Sequence, residues 1–138
     1  MTLFALRLVP ACAPSIAARA QQRGAAVFDE FALIVQRARR EEGERWANEN
    51  GLAPPVRRKL IELDNMYAVV RAAEQGLGIA LVPEISARAW FTSGSLQRFA
   101  ARELESGERY CLAHRVEDAG REEIVAFNDW AIAELRAP

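Results

Sequence analysis

LDNMYAVVRAAEQGLGIALVP, residues 63–83, places a polar pair, a helical apolar pattern, a pair of glycines and an apolar strand in that order. Met66, Val69, Val70 and Ala73 recur at helical spacing, Asp64 or Asn65 is positioned to cap the first turn, and Gly76 suits the left-handed residue just past the last one. Ile79 to Val82 then reads as a buried strand. Upstream, Val56, Leu60, Ile61 and Leu63 imply the strand that delivers the chain into this helix, so the whole is a strand, helix and strand unit. Such a helix start presents free backbone N–H groups and a positive dipole end at Asp64 to Met66, where an anionic or polar ligand can sit. A plain helix cap is the alternative reading of the same residues.

Working outward, Phe4, Leu6 and Leu8 alternate with Ala5, Arg7 and Val9, which predicts an opening strand ending in a turn at Pro10 to Pro14. Pro14 opens an Ala-rich helix that Arg23-Gly24 ends, Phe31 to Val35 suits a buried strand, and Glu42 to Asn50 reads as a polar helical turn closed by Gly51. Beyond Pro83 the pattern predicts a helix over Glu84 to Phe91 with Ile85, Ala89 and Trp90 inward, a turn at Ser93-Gly94-Ser95, and an extended stretch from Leu96. Gly107 introduces a short strand at Tyr110 to Ala113, and a last helix at about Arg121 to Arg136 groups Ile124, Phe127, Ala131 and Leu135 on one face. Strands alternating with helices favour an α/β sheet with crossover connections over a sandwich or bundle.

At 138 residues the chain fits one domain, long enough to bury roughly two-thirds of its unfolded surface. Its 51% hydrophobic and 27% charged residues are ordinary for a globular protein, and no apolar run approaches the ~20 residues of a membrane span. A formal charge of −1 and a pI near 5.9 argue against direct nucleic-acid binding by this chain. Arg37, Arg39 and Arg40 cluster, but Glu41, Glu42 and Glu44 follow at once, the pattern of a solvated mixed-charge face. Cys12 and Cys111 lack partners at metal-ligand spacing, so no metal is expected and both thiols read as reduced. The apolar stretch from Leu3 to Ala13 has no positive leader and is interrupted by Arg7, which favours a cytoplasmic location. No Gly-x-Ser-x-Gly elbow, third glycine of a dinucleotide fingerprint or phosphate-binding loop occurs, so a non-enzymatic chain without cofactor is expected.

The order and spacing of these segments resemble the effector-binding domain of LysR-type transcriptional regulators over most of the chain. Leu6-Arg7-Leu8-Val9-Pro10 with Pro14 looks like the strand and proline turn entering the second lobe, and Leu33-Ile34-Val35 like that lobe's next strand. Arg45-Trp46 resembles the tryptophan-bearing segment, Ala72 to Pro83 the glycine-flanked helix and strand junction, and Leu96-Gln97-Arg98-Phe99 and Phe127-Asn128-Asp129-Trp130 the closing signatures. The resemblance implies the fold of type 2 periplasmic binding proteins, in which two α/β lobes clasp a small molecule. It assigns residues 3–112 to the second, effector-binding lobe and 113–138 to a returning strand end and the C-terminal helix of the first, an incomplete two-lobe architecture. The winged helix-turn-helix, linker helix and first half of lobe one have no counterpart here, so the reading is a sensing lobe without its DNA-binding head, from a truncated gene or as a segment of a longer chain.

The resemblance also carries site residues. Asp64, Asn65 and Met66 match the family's cleft wall and would meet an effector through backbone N–H groups and the Asn65 amide, although Asp64 would itself repel a carboxylate. Ala11 and Cys12, and His114 beyond Cys111, border the expected cleft at strand ends, with ordinary strand packing as the alternative. Val35 ends a strand, and Arg37 just beyond it is placed to pair with an acidic effector or to remain solvated. His114 is the only histidine and has no placed partner for acid-base chemistry. Trp46, Trp90 and Trp130 read as core or interface anchors. The final helix, with Phe127 and Trp130, lacks its usual sheet, so its apolar face must be covered or left exposed. The expected partners are therefore a small-molecule effector and a second copy or another regulator. Two other readings are a dimerising interaction module that senses nothing, and a periplasmic solute-binding fragment, which would require export.

Overall fold

The structure, a computed structural model, describes residues 1–99 and 102–135, so the expected helix end at Arg136 lies outside the described residues. The chain divides into two compact units, residues 7–104 and residues 1–6 with 105–138. In the larger unit a sheet in the order β3-β2-β4-β1-β5 is built from residues 7–12 of β1 (Thr2–Cys12), β2 (Ala32–Gln36), β3 (Leu60–Leu63), β4 (Gly78–Pro83) and β5 (Gln97–Arg98). β2 runs parallel to β3 and to β4, whereas β1 runs antiparallel to β4 and β5. The helices are α1 (Pro14–Arg23), the short α2 (Val27–Glu30), α3 (Arg40–Glu49), α4 (Met66–Glu74) and α5 (Glu84–Ser93). Parallel neighbours require crossovers, and α3 and α4 supply them.

Both faces of this sheet are covered, which is why β2 and β4 read as continuous apolar runs rather than alternating ones. On one face Val9, Ala11, Ile34, Ala80 and Val82 pack with Val69, Val70 and Ala73 of α4, Ala87 of α5 and Leu96. Burying each valine contributes roughly 1.5–3 kcal/mol. On the other, Gly43 of α3 lies against Leu33 and Val35, so closely that an added Cβ would meet Val35 Cγ1 at 2.7 Å. Trp46, fully buried on α3, donates from Nε1 to the Arg102 carbonyl at 2.7 Å and meets Phe28 edge-on. The expected polar turn at 42–50 is thus a ten-residue helix with a packed apolar side.

The structure revises several expectations. β1 does not turn at Pro10 but continues to Cys12. A strand residue's N and C=O point to the same neighbour; the Pro10 carbonyl accepts from Phe99 N–H at 3.0 Å, so its missing donor faces the β5 side, where pairing lasts only two residues. On α5, Ala87 rather than Ala89 points inward, while Ile85 and Trp90 are half-buried. In the smaller unit, β6 (Leu104–Cys111) pairs with β1 and contains Gly107 at φ 82°, instead of beginning after it. Met1 and Leu112 exchange two backbone hydrogen bonds of 2.9 Å there, and Phe4 stacks on Tyr110. α6 (Glu122–Leu135) buries Ala131 and half-buries Ile124, Asn128 and Leu135, which displaces Phe127 to the exposed side.

Candidate functional site

The carboxyl ends of β2, β3 and β4 lie on one edge of the sheet, because the three strands are parallel. Arg37 follows β2, Asp64 and Asn65 follow β3, and Glu84 follows β4. Open α/β sheets leave a crevice at this edge where successive connections diverge. Here β2 leads through α3 to one neighbour, β3, while α4 arrives at the other, β4.

α4 is framed by both of its expected signals. Asn65, with extended backbone, accepts the Ala68 N–H on Oδ1 at 2.8 Å, the bond that makes asparagine a good N-cap. At the other end Gly76 adopts φ 80°, its N–H reaches the Ala73 carbonyl at 2.9 Å, and Leu77 N–H reaches that of Ala72 at 3.2 Å. This pair of bonds is the Schellman closure, and it fixes the helix axis with its N-terminus at the sheet edge. The Met66 and Tyr67 N–H groups, in the first turn, have no intrahelical acceptor and remain available to an outside group.

Charge at the edge is balanced internally. Arg37 Nη1 lies 2.6 Å from Asp64 Oδ1, with side chains 65% and 77% exposed; a pair this solvated contributes at most about 1 kcal/mol. Asp64 therefore does not stand as a lone repulsive charge. Arg40 contacts Glu62 at 3.3 Å and Arg39 contacts Glu42 at 2.9 Å, the latter half-buried, so the arginine cluster is a paired network. Tyr67 stands 66% exposed beside the helix start, edge-on to Trp90. The sequence pattern did not single out this aromatic, though a tyrosine two residues after a polar cap and off the apolar stripe is a readable signal.

Of the residues predicted from sequence, Arg37, Asp64, Asn65 and Met66 come together at this edge. Ala11 and Cys12 do not. Register pairs Ala11 with Ala80 and sets Leu8 beside Pro83, so Ala11 and Cys12 lie further along the sheet from the carboxyl edge, and both are fully buried. Burial also pushes the Cys12 thiol up to about 11. The Val35 side chain is core against Gly43. His114 belongs to the smaller unit and is exposed, with Nδ1 2.9 Å from the Arg115 carbonyl. Phe127 and Trp130 are 50% and 57% exposed and touch each other at 5.6 Å between centroids. Among the described residues no group of three or more His, Cys, Asp or Glu side chains is placed to hold a metal ion, and no helix is long and apolar enough to cross a membrane.

The family model described as the LysR substrate binding domain matches residues 1–136. The chain belongs to that family. This is a domain of transcriptional regulators rather than an enzyme family. The chain is 28% identical over 134 residues to the HTH-type transcriptional activator AmpR of Pseudomonas aeruginosa, covering 96% of this chain and 44% of that protein. The solved effector domain of the P. aeruginosa AmpR superposes with a TM-score of 0.76 at 29% identity, covering 98% of this chain and 64% of that one. An effector-binding domain from Citrobacter freundii carrying three amino-acid substitutions gives a TM-score of 0.79 at 21% identity, over 98% and 67% of the two chains, a likeness of fold. The chain thus spans less than half of the curated relative, and the LysR-domain architecture is represented by a mixed sheet with flanking helices.

Proposed function

We propose that this chain is the effector-sensing lobe of a LysR-type regulator, and that the effector lies at the carboxyl edge of β2, β3 and β4. The observation that carries the reading is the capped start of α4 beside the Arg37–Asp64 pair. Backbone N–H groups at Met66 and Tyr67 suit an acceptor oxygen, while Asp64 and Arg37 offer one charge of each sign, and Tyr67 an aromatic face. That combination suits a zwitterionic or polar neutral molecule better than a simple dianion. A full-length LysR-family protein, LysG of Corynebacterium glutamicum, has been solved with bound effector Arg, which makes amino acids sensible first probes. Residues 3–112 form the effector lobe in this reading, and 113–138 return to its companion. Binding would bias an equilibrium between lobe arrangements, which is linkage and not catalysis. Action on DNA through a separate segment, and hence a cytoplasmic location, belong to the same proposal.

Thermal-shift titration with L-arginine, L-lysine, L-glutamate and L-phenylalanine tests it in wild type, Arg37→Gln and Asn65→Ser. Serine keeps a helix cap but removes the amide, so a ligand effect separates from a stability effect. At least one probe is expected to raise Tm, with the rise reduced in both variants. A rise unchanged in both would place the ligand elsewhere.

A second reading rests on α6. Phe127, Trp130 and Val125 leave an exposed apolar surface, which supports association with a second copy or another regulator.

A further inference from the structure

A cleft of about 500 Å³ lies along α5 and β5, within the size range of small-molecule sites. Glu84, Arg88, Phe91 and Thr92 line it from α5, and their spacing puts them on one helix face. Leu96 and Arg98 line it from the β5 side. The cleft differs from the sheet edge carrying Arg37, Asp64, Asn65 and Met66, none of which lines it.

The charges in the cleft are unequally satisfied. Arg98 Nη2 bonds Glu84 Oε1 at 2.5 Å, Nη1 lies 3.8 Å from Glu103, and its guanidinium sits 5.7 Å from the Phe91 ring centroid. Glu103 also takes Arg7 at 3.2 Å. Arg88 follows Glu84 by four residues, the spacing at which such pairs usually form on a helix, but Glu84 is already engaged by Arg98. Among the described residues Arg88 has no carboxylate within ion-pair distance. The cleft therefore combines a guanidinium without an ion-pair partner among the described residues with an aromatic ring and the exposed Pro14, while its one lining carboxylate is engaged by Arg98.

We propose that this cleft is a small-molecule site in its own right, taking a monocarboxylate with a flat apolar body. The carboxylate pairs with Arg88, and the body lies against Phe91 and the exposed Pro14. A guanidinium facing a carboxylate gives a directed, charge-assisted contact, and the neutralised Glu84 removes the repulsion that would otherwise oppose it.

The test is an amide-resolved NMR titration of the intact chain with phenylacetate, run on wild type, Arg88→Gln and Arg37→Gln. Arg88 is exposed, so its substitution leaves the fold intact, which an unchanged Tm verifies. Saturable shifts confined to α5 and β5 are expected, weakened about tenfold or more by Arg88→Gln and unaffected by Arg37→Gln. Phenylacetamide, with the same ring and no charge, should bind about tenfold more weakly, as should acetate, which lacks the ring. Equal affinity of Arg88→Gln or of the amide would overturn the proposal. So would shifts centred on Asp64 to Met66, or no saturation by about 10 mM phenylacetate.

Discussion

Replacing Asn65 separates what the fold needs from what a ligand would need. The side chain's internal task is one hydrogen bond, from Ala68 N–H to Oδ1 at 2.8 Å, and the residue is exposed, so its removal opens no cavity. Asn65→Ala should therefore cost about 1 kcal/mol, the usual value of an N-cap. In urea unfolding that is a fall in midpoint of roughly 0.5 M at unchanged slope. Asn65→Ser retains an acceptor at the same place and should recover most of the loss. Asn65→Asp also retains it, and its favourable charge at the helix start is offset by the neighbouring Asp64, leaving stability near wild type. A neutral Asn65→Ala, or an Asn65→Ser as damaging as alanine, would show that the cap bond does not hold the helix start and would remove the basis for placing free N–H groups there.

Gly78 has a comparable structural demand of a different kind: an added Cβ would lie 2.1 Å from the Ala32 carbonyl oxygen across the β2–β4 pair. Gly78→Ala should destabilise by on the order of 3 kcal/mol or more, read by urea unfolding; a loss below about 1 kcal/mol would contradict that close approach. Exposed Cys111 should react with a thiol reagent at once and buried Cys12 only on unfolding. Because burial raises the Cys12 thiol to about 11, the folded state keeps its proton where the unfolded chain loses it. That contribution is complete below the ordinary thiol value near 9 and is lost as pH rises towards 11, about 2–3 kcal/mol in all. Cys12→Ala should flatten this alkaline slope, measured by urea unfolding at several pH values. On α6, Phe127→Glu with Trp130→Glu should abolish concentration-dependent association in sedimentation equilibrium; a wild type monomeric at high concentration would reject the association itself.

What could be read in the residues was the locally determined part. The cap at Asn65 and the closure at Gly76 depend on neighbours within a turn, so the pattern of residues 63–83 located α4 and its carboxyl-edge end closely. The same holds for α1, which begins at Pro14 and ends at Gly24. Register was not readable. Ala11 and Cys12 fall within the turn predicted at Pro10 to Pro14, and only the antiparallel pairing of β1 with β4 reveals that they lie further along the sheet from its carboxyl edge. Continuation of β1 through Pro10 likewise depends on how short β5 is, a fact about a segment nearly ninety residues away. The Arg37–Asp64 pair joins two loops after different strands, and no spacing rule connects them. On α6, periodicity alone could not choose between Phe127 and Asn128 as the covered position, since the two are adjacent on the helix.

The brevity of β5 has a bearing on how this protein would meet its neighbours. It forms one end of the sheet order with only Gln97 and Arg98, and Arg98 is held by Glu84 and Glu103. An incoming chain therefore finds almost no row of backbone donors and acceptors to zip onto, and a charged side chain where it would have to lie. Growth of the sheet by strand addition is closed at that margin, so the route to ordered fibres is blocked there. Contacts made there must be made by side chains and should be reversible on dilution.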